Sequence, residues 1–288
     1  VTIIRRSFMK TNLSNVTICA IDCVTPSLAA EALNHSMQDL SFGDSILFSD
    51  TQVTGQFRST RIPKLNSREE YSKFVLENLS EYVSTDYVLI VQWDGFVTSP
   101  ESWDPNFLNY DYIGACWPWH LDGLMVGNGG FSIRSKKLMD LFKNSKFQYD
   151  RSLNEDEVIC RQLRPQLENQ GAKFAPINVA RKFCYEREFP GSETFGFHGL
   201  FNIWRHCDDA KILDLANRLN QKTYKSVEFL ELLLIYLEQR KFFVFKRLFN
   251  LLLANLGSQS AENYLAMYIN DRLLIEKIIK ASQGVDIL

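Results

Sequence analysis

The sequence predicts an α/β fold, a mostly parallel sheet flanked by helices, followed by an all-α C-terminal region of helical hairpins. Two observations carry this. Over the first two hundred residues, short continuous apolar runs alternate with amphipathic stretches, the pattern of buried parallel strands covered by helices on both faces. From Asp208 onward the text is helical throughout and contains no proline. A division into residues 1–207 and 208–288 follows, and 288 residues suffice for one large domain with an appendage.

The elements come in order. "VTICAID" (16–22) is an apolar strand ending in Asp22, and a helical pattern runs from Ser27 to Leu40. "SILFSD" (45–50) is a second buried strand. "NSREEYSKFVLENLSEYV" opens with a capping box, Ser67 and Glu70, and places Tyr71, Phe74, Val75, Leu76 and Leu79 largely on one helical face. "YVLIVQWDG" is the third apolar strand, broken by Gly95. Short strands are expected at "YDYIGACW" (110–117) and "GGFSIRS" (129–135), then helices from Lys136 and Glu155. "KFAPINVARKFCYE" reads as strand and "GFHG" as loop. In the tail, helices are expected near 208–220, 226–239, 241–256, 260–270 and 272–282. An offset of 34 residues aligns Ser226 with Ser260, Glu228 with Glu262, Ile235 with Ile269 and Lys246 with Lys280. That is the period of tetratricopeptide-type helix pairs.

The totals exclude several classes. A formal net charge of −2 gives no electrostatic case for nucleic acid. Six cysteines, at 19, 23, 116, 160, 184 and 207, form no CxxC pair and read as reduced thiols, not a disulfide framework or zinc site. Sequons at Asn12, Asn15, Asn34 and Asn78 are set against those thiols. Arg5, Arg6 and Lys10 are not followed by an apolar signal region, and no run approaches the ~20 residues that span a bilayer. The expectation is a cytoplasmic protein. Peripheral contact with the inner face of the membrane would have to come from "RKFFVFKRLFNLLLANL", whose simpler reading is an internal helix.

Four stretches carry chemistry. In Gln92-Trp93-Asp94-Gly95 a carboxylate surfaces at a strand end, where open α/β sheets bind ligands. It suits a phosphate-bridging cation or a sugar hydroxyl, and equally a simple turn cap. In "VGNGGFSIRS", Gly127, Gly129 and Gly130 flank Asn128 and allow close backbone approach, though this is neither a dinucleotide loop nor a P-loop. In "LNEDEVICRQL" three acids, Glu155, Asp156 and Glu157, open a helix that Asn154 already caps. Three exceed what capping needs, which points to a general base. In "FGFHG", His198 sits between an aromatic residue and a glycine, a structural histidine unless Asp94 is close.

The order of these stretches resembles that of GT-A-fold (Rossmann-like) glycosyltransferases: a strand-end DxD, a glycine-rich loop, an x-Glu-Asp motif opening a helix, and a late histidine. Here the counterparts are Gln92-Trp93-Asp94, Gly127 to Ser132, Asn154-Glu155-Asp156 and His198. The strings "VQWDGFV", "YDYIGA", "VGNGGFSIRS" and "FGFHG" resemble a bacterial glycosyltransferase-like domain family of unassigned function, over residues 16–200. The resemblance implies a nucleotide-sugar-dependent transferase acting on a polysaccharide or glycoconjugate acceptor, with Asp156 as base of an inverting displacement and Glu155 binding acceptor. It implies that Asn128, Gly129 and Gly130 line the donor sugar, that Asp22 contacts the nucleoside, that Asp94 and Trp93 lie on the donor side, and that His198 meets the diphosphate. Asp94 and His198 would be the ligands of a Mn or Mg ion. One departure stands out, because Gln92 replaces the first acid of DxD, so the metal is expected to be dispensable or weakly bound.

Two other classes compete. One is a catalytically inactive sugar-binding or scaffold module, with the helical tail docking protein or a second copy; Gln92 favours it, while Asn154-Glu155-Asp156 and His198 favour the enzyme. The other is a nucleotidyltransferase, whose basic glycine-rich loop is absent from "AIDCVTPSL".

Overall fold

The structure, a computed structural model, describes residues 10–144 and 147–283; Arg5 and Arg6 lie outside the described residues. It divides into two compact units, one ending at His198 and one beginning at Gly199.

The first unit is built on a six-stranded sheet: β1 (Thr11–Ile21), β2 (Leu40–Ser49), β3 (Arg58–Arg61), β4 (Tyr87–Ile90), β5 (Tyr112–Ile113) and β6 (Ser132–Ser135), in the order β3-β2-β1-β4-β6-β5. The first four are parallel, and β6 runs antiparallel to both β4 and β5. The apolar runs are continuous because both faces are buried. Ile18, Ala20, Leu47, Leu89 and Val91 pack on one side with Leu33 of helix α1 (Pro26–Ser36) and with Phe131 and Phe183. Their neighbours Cys19, Ile46, Phe48, Val88 and Ile90 pack on the other with Phe74, Val75 and Leu79. Each such side chain contributes about 1.5–3 kcal/mol of burial.

The helix expected from Ser67 is capped as predicted, Ser67 Oγ accepting the Glu70 N–H at 3.2 Å. It runs as α2 (Arg68–Lys73), then changes to a π-helical turn, Phe74–Asn78, and a 3₁₀ turn, Leu79–Tyr82. Next come α3 (Lys136–Asn144), α4 (Glu155–Glu157, continued by a π-helical turn Val158–Gln162), α5 (Arg164–Asn169) and α6 (Ile177–Phe183). Helix α6 corrects the strand expected over "KFAPINVARKFCYE". Its β-branched residues suggest a strand, but Ala180 and Phe183 are buried one turn apart, at helical spacing, behind Pro176. Only Cys184–Tyr185 is extended, as β7, and it pairs in parallel with β8 (Gly196–Phe197), which the sequence reads as loop. The expected strands 110–117 and 129–135 shorten to β5 and β6. Strand β3, polar and at the sheet edge, leaves no apolar signature in the sequence.

Among its described residues the second unit holds two 3₁₀ turns, Leu200–Arg205 and Thr223–Lys225, and five helices: α7 (Asp209–Asn217), α8 (Val227–Glu238), α9 (Phe242–Leu256), α10 (Ser258–Tyr268) and α11 (Arg272–Gln283). Helix α9 packs against the other four, with Val244, Phe245, Leu248, Phe249 and Leu252 buried. Its apolar stripe is therefore used inside this unit. Among the described residues no helix is long and apolar enough to cross a membrane. All six cysteines are free thiols.

Candidate functional site

Sheet register explains why residues distant in sequence meet. Strands β1 and β4 are parallel, with Cys19 opposite Ile90, so Asp22 and Gln92-Trp93-Asp94 emerge at the same edge. Strand β6 is antiparallel to β4, with Ser132 opposite Ile90, so the glycine loop leading into β6 arrives at that edge too. Gln92 and Gly95 exchange backbone hydrogen bonds of 2.9 and 3.0 Å, closing the tight turn that presents Trp93 and Asp94. A bridge from Val97 to Gly196 brings β8 alongside, and His198 follows it.

His198 is the centre of this edge. Its Nδ1 lies 3.0 Å from Glu186 Oε1 and 3.0 Å from Asn128 Nδ2. Its Nε2 lies 3.2 Å from Gln92 Oε1 and 3.8 Å from Asp94 Oδ1. Burial disfavours the charged ring, but Asp94, Glu186 and Asp156 outweigh it and raise the imidazole to about 9. Burial likewise works to raise Glu186, yet the hydrogen bond and charge of His198 hold that carboxyl below its ordinary value. The pair is thus an imidazolium and a carboxylate. Gly130 lies against the ring, since a Cβ there would sit 2.0 Å from Nε2.

Asn128 adopts a left-handed φ of 68°, a conformation asparagine tolerates better than most residues. Its Oδ1 accepts the N–H groups of Gly130 and Phe131, both at 3.1 Å, which turns its amide nitrogen toward the Glu186 carboxylate that His198 Nδ1 also faces. Tyr112 donates its hydroxyl to the Asn128 carbonyl at 2.9 Å.

The three acids of α4 divide their labour. Glu157 accepts the Asn154 N–H at 3.0 Å and caps the helix. Glu155, 4% exposed, pairs at 2.8 Å with Arg134, 1% exposed, beneath the glycine loop. Arg134 also lies over the Tyr112 ring and is a buried ion-pair partner. Asp156 remains. Its Oδ2 accepts the Gly129 N–H at 2.8 Å and its Oδ1 the Glu157 N–H at 2.9 Å. Burial, then the charge of Glu155, raise its carboxyl to about 7. A carboxylate poised near neutrality is matched to taking a proton from a hydroxyl.

Asp94 and His198 bring one carboxylate and one imidazole together, 3.8 Å apart, as the candidate donors for a divalent cation. Both His198 ring nitrogens already face protein partners, Nδ1 toward Glu186 Oε1 and Nε2 toward Gln92 Oε1. The Gln92 amide is held between Tyr71 Oη, to which Nε2 donates at 3.3 Å, and His198. Among the described residues no three His, Cys, Asp or Glu side chains converge in a way that could hold a metal ion.

Of the residues singled out in the sequence, Gln92, Asp94, Asn128, Gly129, Gly130, Asp156 and His198 are joined by these contacts. Asp22 shares the sheet edge but turns inward to its own loop, accepting the N–H groups of Val24 and Thr25, both at 2.6 Å. Burial raises its carboxyl above the ordinary range. Trp93 is partly exposed at the turn. Sequence reasoning missed Glu186 and Tyr71. The signal for Glu186 is its place one step beyond β7: with Tyr185 opposite Phe197, the next residues in register are Glu186 and His198.

One solved structure similar to this chain is a "glycosyltransferase involved in the glycosylation of the major capsid of PBCV-1", 12% identical, with TM-score 0.42, covering 64% of this chain and 91% of its own. Another is mannosyltransferase PcManGT from Pyrobaculum calidifontis in complex with GDP-Man and Mn2+, 11% identical, with TM-score 0.41, covering 94% of this chain and 86% of its own. A search of curated proteins finds no match. A family model described as "Protein of unknown function (DUF5672)" matches residues 55–198, half of the 288-residue chain and the span that runs from before β3 through His198. The chain belongs to that family.

Proposed function

We propose that the protein is a glycosyltransferase that moves a sugar from a nucleotide-sugar donor to a hydroxyl of a glycan or glycoconjugate, with inversion at the anomeric carbon. The observation that carries this is Asp156: a carboxylate raised to about 7, fixed by the N–H of Gly129, on the sheet edge where Asp94, Asn128 and His198 gather. Asp156 takes the acceptor hydroxyl proton as the oxygen bonds to the anomeric carbon. The bond from that carbon to the diphosphate oxygen breaks, and the nucleoside diphosphate leaves with the electron pair. Asn128, Gly129 and Gly130 line the donor sugar, Asp94 accepts from its hydroxyls, and Asp22 marks the nucleoside end of the edge. Glu155 serves as counter-charge to Arg134 rather than as an acceptor ligand, holding the glycine loop and Asp156 in register. His198, held as a cation, offsets negative charge where a metal would otherwise be needed, so turnover is metal-independent in this reading.

In this reading residues 1–207 are the catalytic domain and 208–288 a helical domain that docks protein. A sugar-binding module without turnover is the second reading, favoured by Gln92 at the first DxD position.

A panel of nucleotide sugars, assayed for nucleoside diphosphate release with and without EDTA, tests the proposal. Turnover of at least one donor, undiminished by EDTA, is expected. Donor binding without turnover, in the presence of varied acceptors, would favour the module.

A further inference from the structure

The hairpin that precedes the glycine loop carries aromatic side chains the reaction above does not use. Gly127 N–H bonds to the Ala115 carbonyl at 3.0 Å, Trp117 N–H to the Met125 carbonyl at 2.6 Å, and Cys116 bridges Val126. Trp117 is buried against Gly127, where a Cβ would lie 2.2 Å from the indole. Trp119 stacks on Trp117 with ring centroids 6.3 Å apart and planes inclined by 29°. Trp119 is nevertheless 56% exposed, and Leu121 beyond it is 92% exposed.

This indole is fixed, not loose. Trp119 Nε1 donates to His120 Nε2 at 3.1 Å, so the polar edge is satisfied while a flat face stays open. Arg161 clamps the hairpin from outside, donating to both Asp122 carboxylate oxygens at 2.9 and 2.7 Å and to the Leu124 carbonyl at 2.9 Å. Arg161 lies in the π-helical turn that continues directly from Asp156 and α4. The segment that carries the proposed base thus also holds the aromatic hairpin. Contacts run without a break from Trp119 through Trp117 and Gly127 to Asn128, Gly129 and Asp156.

A rigid exposed aromatic face at the rim of a sugar site suits a ligand with an apolar C–H face and a polar rim. Such a ring stacks flat while its hydroxyls remain solvated. Acidic or basic clusters that would select a charged partner are not what the hairpin offers, since its Asp122 is taken by Arg161. We infer that Trp119 is the platform of a carbohydrate acceptor subsite, stacking a sugar ring of an oligosaccharide next to the catalytic edge. This rests on the proposed transferase reading, but it is tested by binding, which needs no turnover.

The test uses the full chain and four immobilised probes: maltohexaose, chitohexaose, mannohexaose and an oligogalacturonide. Binding is read by surface plasmon resonance and by quenching of tryptophan fluorescence. Wild-type protein is expected to bind at least one probe. Trp119→Ala weakens that binding roughly tenfold or more, and Trp119→Phe restores most of it. Leu121→Ala changes it less than twofold, because leucine has no flat face. Thermal melts of the variants verify folding, which the exposure of both residues leaves intact. Binding of none of the probes by wild type, equal binding by Trp119→Ala, or equal loss in Leu121→Ala overturns the assignment. Donor turnover with no oligosaccharide binding would sink the platform and leave the transferase standing; binding with no turnover does the reverse.

Discussion

Replacing Glu155 by glutamine strips the buried Arg134 guanidinium of its counter-charge while keeping side-chain shape. The pair sits at 1% and 6% side-chain exposure with a 2.8 Å contact, so little solvent is at hand to take over. Among the described residues the guanidinium is left with Ser132 Oγ, to which Nε donates at 3.3 Å, the face of Tyr112 and at most the neutral amide oxygen of the new glutamine. Breaking one side of a buried pair costs about 3–5 kcal/mol. For a folding unit of this size that corresponds to a fall of roughly 6–20 °C in melting temperature. Urea unfolding of Glu155→Gln, Arg134→Met and the double variant Arg134→Met/Glu155→Leu measures it. Each single variant should show the large loss, and the double variant should recover most of it, because apolar replacements of both partners leave no stranded charge. A loss under about 1 kcal/mol in Glu155→Gln, the level of an exposed pair, would refute the claim that Glu155 is structural. The replacement also removes one of the charges that raise Asp156, so that carboxyl should titrate lower in the variant.

Three further outcomes follow from the geometry. His198, raised to about 9 by its carboxylate neighbours, should stay protonated at pH 7.5 by imidazole nitrogen NMR. Because its folded value lies above the unfolded one, near 6.5, its stabilising share is complete below that pH and is lost as pH rises through about 9. Titration of the free type in the folded protein would contradict this. Gly130→Ala should destabilise by about 1–3 kcal/mol, since the new Cβ meets a ring that Glu186 and Gln92 hold in place. Gly191→Ala, where a Cβ meets nothing within 4 Å, serves as the neutral control. Sedimentation with anionic vesicles should leave the protein in the supernatant, because the apolar stripe of α9 is buried within its own unit; pelleting would show another face at work.

The sheet was legible because burial on both faces leaves continuous apolar runs, as in Val88 to Val91. Of the candidate site residues, Asp94 was picked out at a strand end, Asn128 in a glycine-rich loop, Asp156 by the excess of acids at a helix start and His198 by a loop motif. What the sequence does not display is which of several acids does what. Glu155, Asp156 and Glu157 are adjacent in sequence but sit in three environments set by tertiary partners: Arg134, Gly129 and the Asn154 N–H. Glu186 was hidden because its strand has two residues and is stabilised by pairing rather than by pattern. Helix α6 was misread because Ile177 and Val179 favour strands locally, whereas the burial of Ala180 and Phe183 decided otherwise.

The central claim is that Asp156 takes the proton from the acceptor. With a donor found by nucleotide-sugar screening, calorimetry and single-turnover transfer are compared for wild type and Asp156→Asn. Asparagine keeps an oxygen that can accept the Gly129 N–H but cannot take a proton. Donor affinity should change less than about threefold while the transfer rate falls at least ~100-fold, the scale of a general base. Wild-type transfer should also weaken as pH falls through about 7, where Asp156 protonates. An Asp156→Asn variant that transfers at the wild-type rate would contradict the account.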